Sequence, residues 1–212
     1  WALIITVLVH FGIAKIHGGT FMAAVGRDGI VLAADSRHSS QQTGPFLLNE
    51  HPRRIFRVGE RTLVACFGLD SDVDDLVEMI RRKFLSHRDG DLEPNHVARV
   101  ISDILYGNRM ICSPIVIGYC SDGRPYICSM DGIGAQTISE KFAVLGTSAP
   151  ALSAASEATY TEGMDTPSVE GLVRSCMQST LARDVMSGCH VRLYTISREG
   201  AVSVQTLLTQ DV

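Results

Sequence analysis

Polar side chains that could hold a nucleophile follow an apolar stretch near the start of the chain. Residues 35–37 (Asp-Ser-Arg) supply a carboxylate, a hydroxyl and a guanidinium directly after the apolar run 30–34. A second apolar run, 20–25, precedes them, and the turn-forming sequence Gly-Arg-Asp-Gly at 26–29 joins the two runs. The predicted hairpin brings the polar triplet beside the start of its first strand. In a chain that begins at Gly19 or at the next residue, the triplet could hold a terminal amine and a nucleophile.

Composition limits the other kinds of chemistry. The chain has 212 residues, is 45% hydrophobic and contains no linker, so we expect one domain with a sizeable core. A net charge of -4 gives no basic field for a phosphate backbone, which argues against nucleic acid as a partner. Six cysteines without a Cys-x-x-Cys motif suit reduced, buried thiols, and seven scattered histidines show no ligand spacing. We therefore expect no metal site and no cofactor.

The first residues form an unusual apolar segment. Residues 1–14 are apolar apart from His10, yet the run is shorter than the roughly 20 residues that a membrane span requires. It also lacks the basic start and the Ala-x-Ala cleavage site of a signal peptide. We predict that residues 1–17 are an N-terminal extension or a retained pro-segment, that residues 18–212 form the domain, and that the protein has no membrane partner. An imprecise gene model is a further explanation of this segment.

The remaining pattern predicts strands, a helix pair, strands, a second helix pair and final strands. Two predicted helices, 70–84 and 94–106, carry apolar residues at helical spacing. The second pair comprises residues 148–161 and a longer helix with Thr166 as its cap and Pro167 at its first position. Because hairpins alternate with helix pairs and no βαβ alternation is present, the fold class is predicted to be a layered α+β domain.

Several dispersed segments resemble the beta-type subunits of the proteasome, which are N-terminal-nucleophile hydrolases. They stand in the family's order from Gly18 to the end of the chain: 32–37 (LAADSR), 54–56 (RIF), 67–72 (FGLDSD), 126–131 (YICSMD), 144–147 (VLGT) and 183–188 (RDVMSG). The resemblance implies a four-layer αββα sandwich of two antiparallel sheets flanked by helix pairs. It is strongest to a non-catalytic branch of the family.

The resemblance also implies that the catalytic residues are lost. Counting back from Asp35 by the family's spacing places the threonine nucleophile position at Gly19, which has no side chain. The family's lysine is matched by Arg54, which cannot act as a titrating amine; an alignment without a loop insertion places it near His51 instead. The serine beside the nucleophile is matched by Leu145.

The family's site is retained at Asp35, Asp184 and Ser187, and at the oxyanion-type glycine, Gly68. Asp35, Asp184 and Ser187 match the family's motif, and Asp184 and Ser187 are interpreted as partners of buried backbone groups near a helix end. No residue of this chain is therefore expected to be catalytic.

The function implied is that of a structural ring subunit of the 20S core particle, supporting ATP- and ubiquitin-dependent proteolysis in the cytoplasm and nucleus. Its partners would be beta-type subunits of the same and the opposite ring, alpha-type subunits, and polypeptide substrates in the chamber. Asp131 would line the substrate pocket of a neighbouring beta-type subunit, with Ala135 at its edge. A simple turn aspartate is the alternative role of Asp131.

Two other functions remain open on the sequence. One is an active threonine endopeptidase that uses Thr20 after cleavage of the Gly19–Thr20 bond. Since one step along a strand turns the side chain to the opposite face, the hydroxyl of Thr20 is not expected in the site. The other is a self-contained binding or homo-oligomeric module of the same fold, which would form a defined assembly when expressed alone.

Overall fold

The computed structural model describes residues 19–37, 54–84, 92–184, 187–188 and 190–208. The strands in these residues are β1 (Thr20–Val25), β2 (Gly29–Asp35), β3 (Ile55–Gly59), β4 (Thr62–Gly68), β5 (Cys112–Tyr119), β6 (Pro125–Met130), β7 (Gln136–Ser139), β8 (Phe142–Gly146), β9 (His190–Ser197) and β10 (Val202–Leu208). The helices are α1 (Asp70–Phe84), α2 (Pro94–Asn108), α3 (Ala149–Thr159) and α4 (Thr166–Leu181). The predicted alternation of hairpins and helix pairs is confirmed.

The strands form two antiparallel sheets of five strands each. The first sheet has the order β10-β9-β2-β1-β8 and the second has the order β3-β4-β5-β6-β7. The predicted first hairpin lies in the middle of the first sheet, with Phe21 opposite Ala34 and Val25 opposite Ile30. Both of its strands are almost wholly buried because the sheet is covered on both faces.

Three layers of apolar side chains separate four layers of backbone. Side chains of α1 and α2 pack on the second sheet, for example Leu76 and Ile101 against Val116. Phe21 and Ile117 belong to the layer between the sheets. On the far side, α3 and α4 pack on the first sheet. The fold is therefore the expected αββα sandwich.

The helices follow from their apolar stripes. In α1, the predicted stripe is buried at Val73, Leu76, Ile80 and Phe84. Its acidic first turn and basic last turn also suit the helix dipole. The helical spacing of apolar residues thus decided which face meets the sheet.

One predicted cap is wrong by a residue. Asp165, not Thr166, caps α4, since its Oδ1 accepts a hydrogen bond from the backbone N–H of Ser168 at 3.1 Å. Pro167 accordingly occupies the second helical position. An aspartate carboxylate reaches the free N–H groups of a first turn as well as a threonine hydroxyl does, so the sequence left two acceptable caps side by side.

Some predictions concern residues that the structure does not describe. The extension 1–17, Gly18 and the alternative site residue His51 lie outside the described residues.

The prediction of buried, unpaired thiols is confirmed at the five described cysteines, which are all buried and free: Cys66, Cys112, Cys120, Cys128 and Cys176.

Candidate functional site

The candidate site lies where the first hairpin begins and ends. Because β1 and β2 pair antiparallel, the start of β1 and the end of β2 lie at the same edge of the first sheet. The backbone N–H of Thr20 donates to Asp35 Oδ1 at 2.9 Å. The hairpin thus brings Gly19, Thr20 and Asp35 together, as the sequence predicted.

Asp35 is a buried carboxylate with three donors. Besides Thr20, the backbone N–H of Gly188 donates to Oδ2 at 2.9 Å, and Nη1 of Arg54 lies 3.3 Å from Oδ1. Burial raises the pKa of Asp35 from 3.8 to about 6, while the charge of Arg54 and the two N–H donors oppose the rise. Desolvation also lowers the pKa of Arg54. Both groups are charged at neutral pH, because that pH lies above the pKa of about 6 of the Asp35 carboxyl and because a guanidinium retains its proton there.

Arg54 fills the space that a side chain at position 19 would need. A Cβ atom built on Gly19 would overlap Nη1 of Arg54 and lie 2.9 Å from its Cζ. Nη2 of Arg54 is held by the carbonyl oxygen of Arg37 at 3.0 Å, and the residue is only 6% exposed. The backbone of Gly19 has φ +149°, a value that side chains rarely allow. The position matched to the nucleophile therefore lacks a side chain, and a side chain there would have to displace the end of Arg54.

Thr20 is present but buried. Its Oγ1 lies 2.8 Å from Ser187 Oγ and accepts from the backbone N–H of Ser148 at 3.3 Å. The exposed fraction of Thr20 is zero. The expectation that strand alternation turns this hydroxyl away from the site is therefore wrong, because Ser187 and Ser148 lie on the face of β1 to which Thr20 points. Among the described residues, the hydroxyl is enclosed in a network of hydroxyl groups and is not exposed to a substrate.

That network joins two predicted residues to two that sequence reasoning missed. Ser187 Oγ lies 2.7 Å from Thr147 Oγ1, which donates to Asp184 Oδ2 at 2.6 Å. Ser148 Oγ donates to the same oxygen at 2.5 Å. Asp184 and Ser187 are therefore linked through the hydroxyl of Thr147, and the partners described for their side chains are hydroxyl groups. Their predicted contacts with buried backbone groups stay a prediction.

Leu145, the expected match of the site's serine, does not reach this network. It lies opposite Phe21 in the register of β1 with β8 and packs against the apolar layer between the sheets. Thr147, two residues further, supplies the hydroxyl instead. The hydroxyl pair Thr147-Ser148, directly after Gly146 at the end of an apolar strand, is the signal that could have identified it.

The site as a whole can hold backbone and side chains rigidly together. Asp35 accepts from three buried donors and Asp184 accepts from the hydroxyls of Thr147 and Ser148, and such satisfied networks fix a unique local conformation. Among the residues described here, none combines an exposed nucleophile with a neighbouring base at this edge. The site, here called the junction, ties the start of β1 and the end of β2 to the segments that follow β8 and α4.

Asp131 and Ala135 take no part in this junction and lie in the turn between β6 and β7. Asp131 Oδ1 accepts from the backbone N–H groups of Ile133 at 3.0 Å and Ala135 at 2.8 Å. Both Asp131 and Ala135 are exposed. The carboxylate therefore shapes its own turn, and it also presents charge at the surface.

The described residues contain no group of three or more histidine, cysteine, aspartate or glutamate side chains placed to hold a metal ion. In the same residues, every helix is too short or too polar to cross a membrane.

Comparison with known proteins finds a family model and several relatives that match this chain. A family model described as proteasome subunit matches residues 16–196. Proteasome subunit beta type-3-A of Arabidopsis thaliana is 30% identical over 192 residues, which cover 87% of this chain and 92% of the relative. Proteasome subunit beta type-3 of Picea mariana is also 30% identical over 192 residues, which cover 87% of this chain and 92% of the relative. Proteasome subunit beta 1 of Ignicoccus hospitalis is 28% identical over 196 residues, covering 90% of this chain and 96% of the relative.

Proposed function

Because this chain belongs to the proteasome subunit family, we propose that it is a non-catalytic beta-type subunit of the 20S core particle. One observation carries the proposal: the guanidinium of Arg54 occupies the place of a side chain at Gly19, the position matched to the nucleophile. A threonine hydrolase needs a hydroxyl nucleophile and an adjacent group that can take its proton. Glycine supplies no hydroxyl, and arginine stays protonated.

The role that follows is assembly of the proteolytic chamber. The chain assembles with other proteasome subunits, and we place it against beta-type neighbours in its own and the opposite ring and against an alpha-type ring. It would meet polypeptide substrates only as part of the chamber wall, in the cytoplasm and the nucleus, in ATP- and ubiquitin-dependent proteolysis. The names of its beta type-3 relatives support the ring position.

The N-terminus of the mature chain tests the proposal directly. Intact mass and N-terminal sequencing of the subunit from native particles should show a chain that retains Gly19. A chain that begins at Thr20 would instead support the alternative of an active endopeptidase, which would then label with threonine-directed covalent inhibitors.

Substitution of Thr20 separates a structural hydroxyl from a catalytic one. Thr20→Val keeps the shape of the side chain but removes its hydrogen bond to Ser187 Oγ, 2.8 Å away. We expect a loss of stability of about 1–3 kcal/mol, because a buried hydroxyl loses a partner. Cleavage of fluorogenic peptides per assembled particle should be unchanged. Thr20→Ser is the matched control, and loss of one peptidase activity in Thr20→Val alone would refute the proposal.

We further propose that Asp131 gives a neighbouring subunit's pocket a negative charge. Asp131→Asn preserves an oxygen that can accept from Ile133 and Ala135, so the turn should persist while the charge disappears. We expect a several-fold rise in KM for peptides with a basic residue at the cleavage site, because charge complementarity is lost. Peptides cleaved after apolar residues are the control. Unchanged kinetics for basic peptides would leave Asp131 as a turn residue only.

A self-contained module of the same fold remains the other alternative. This alternative predicts that the chain expressed alone forms a soluble, defined assembly. Size-exclusion chromatography with light scattering would detect such an assembly. A ring subunit deprived of its neighbours should aggregate or misassemble instead.

A further inference from the structure

A groove lies between α1 and the edge of the second sheet, and it is here called the β3–α1 groove. Its volume is about 520 Å³, within the range of about 300–1,000 Å³ found for pockets that hold ligands. Its apolar lining comes from β3, β4 and α1: Phe56, Val58, Val64, Val77, Ile80 and Phe84. Phe56, Val58 and Val77 are only half-buried. The groove therefore offers apolar surface that an occupant could cover.

The outer edge of β3 offers backbone groups to the same occupant. Among the described strands, β3 pairs with β4 alone. The backbone N–H of Cys66 donates to the carbonyl oxygen of Arg54 at 2.8 Å. Because the backbone groups of successive strand residues point to opposite sides, those of Ile55 and Arg57 point away from β4. A strand added at such an edge gains backbone hydrogen bonds and places alternate side chains in pockets.

The start of the chain has the sequence pattern of such a strand. Residues 1–14 contain no Asp, Glu, Lys or Arg, and their even positions include Thr6, His10 and Gly12. Every odd position from 3 to 13 carries an aliphatic or aromatic side chain: Leu3, Ile5, Val7, Val9, Phe11 and Ile13. A period of two is typical of a strand that buries one face. The odd-numbered side chains would form that face.

The first described residue lies close to the start of β3. A Cβ atom built on Gly19 would lie 2.9 Å from Cζ of Arg54, and Arg54 directly precedes β3. The five residues 14–18 can span about 16–18 Å when extended, which allows residues 3–13 to reach the β3 edge. Because this run leads into Gly19 near the first residue of β3, it would lie antiparallel to β3. β4 pairs with β3 in the same sense.

The charged side chains of the groove favour an uncharged occupant. Glu78 accepts from Nε of Arg82 at 2.9 Å, and Nη2 of Arg57 donates to the carbonyl oxygen of Gly200 at 3.1 Å. Arg81, the third charged residue of the lining, is exposed at the rim. A charge carried into the apolar part of the groove would be costly to bury without a partner. A segment without charged residues avoids that cost.

We propose that residues 3–13 pair antiparallel with the outer edge of β3 and bury their odd-numbered side chains in the β3–α1 groove. Those side chains would lie on the same face of the sheet as Phe56 and Val58, which pack on the helix side. The even-numbered ones would lie on the face of Arg57, which is exposed. The contact forms within one chain, so the proposal does not depend on the proposed function.

Photocrosslinking in the full-length chain tests the contact. A benzophenone amino acid would replace Arg81 in the groove lining or, as the matched control, Asp75, which is exposed on α1 outside that lining. Since Lys15 is the first lysine or arginine of the chain, trypsin releases residues 1–15 as one peptide. In purified particles, we expect position 81 to crosslink this peptide at least fivefold more than position 75.

The contrary outcomes of this experiment are distinct from those for the proposed function. No crosslink to residues 1–15, a crosslink to another subunit instead, or a mature chain that lacks residues 3–13 would overturn the proposal and leave the proposed function intact. Failure of the chain to enter 20S particles would refute the proposed function only. The same crosslink would then be measured in the chain expressed alone.

Aspartate at neighbouring positions tests the strand and its buried face. Val9→Asp would place a carboxylate in the groove, whereas Leu8→Asp, the matched control, would place it on the opposite face of the strand. We expect Val9→Asp to lower the crosslink yield from position 81 at least fivefold and Leu8→Asp to change it less than twofold. An equal effect of the two substitutions would overturn the proposed pairing.

Discussion

Replacing Arg54 with methionine should destabilise this subunit by about 3–5 kcal/mol at pH 7.5, the typical cost of removing one partner of a buried ion pair. The pair is well enclosed, since the Arg54 side chain is 7% exposed and the Asp35 side chain not at all. Methionine preserves much of the side-chain volume. The loss therefore reports the charge and its hydrogen bond to the carbonyl oxygen of Arg37.

The pH dependence of this loss has a definite sign. The pKa of Asp35 in the fold is about 6, raised by burial from 3.8. Its contribution to stability is thus full below about pH 4 and is lost as the pH rises through 6. Arg54 opposes the rise, so Arg54→Met should raise the pKa further. At pH 5 the Asp35 carboxyl is largely protonated in the wild type and in Arg54→Met. The destabilisation caused by Arg54→Met should therefore be clearly smaller at pH 5 than at pH 7.5.

A double-mutant cycle supplies the control for Arg54. Asp35→Asn with Arg54→Met removes both charges and should recover a large part of the stability lost in Arg54→Met. The measurement is the urea concentration at which the subunit in purified particles becomes susceptible to trypsin, at both pH values. A loss that is the same at pH 5 and pH 7.5, and is not recovered in the double variant, would contradict a charge pair at this site.

Gly146→Ala should destabilise the subunit by about 3 kcal/mol or more. A Cβ atom at Gly146 would overlap the carbonyl oxygen of Gly19 and lie 2.8 Å from Cα of Thr20, and both are backbone atoms. The backbone of Gly146 also has φ +108°, which costs a non-glycine residue about 1–3 kcal/mol. Thr147 should lose its N–H contact to the same carbonyl oxygen, now at 3.1 Å.

The matched control is the same substitution where space is open. Gly171 lies in α4, and a Cβ atom built there meets nothing within 4 Å. Gly171→Ala should therefore stabilise the helix by about 0.5–1 kcal/mol. The urea midpoint for trypsin susceptibility again gives the comparison. Equal midpoints for the two alanine variants would show that Gly146 is not crowded by the first strand.

The local pattern of the chain determined the elements and much of the site. The alternation of apolar runs and turn residues predicted β1 with its observed bounds, because a buried strand and a tight turn leave a clear local signature. The same hairpin brought Asp35 to the start of the first strand. Helical spacing likewise selected the buried face of α1, since that face is set by residues within a few turns of one another.

Only the tertiary structure decided what the site residues contact. That Arg54 fills the space at Gly19, and that Thr147 links Ser187 to Asp184, depends on strands and loops brought together from distant parts of the chain. Local propensity and periodicity carry no information about such contacts, because loop and strand packing fixes them only when the two sheets stack. The sequence thus predicted that Gly19 and Arg54 match the nucleophile and lysine positions, and packing decided that the end of the Arg54 side chain occupies the space beside Gly19.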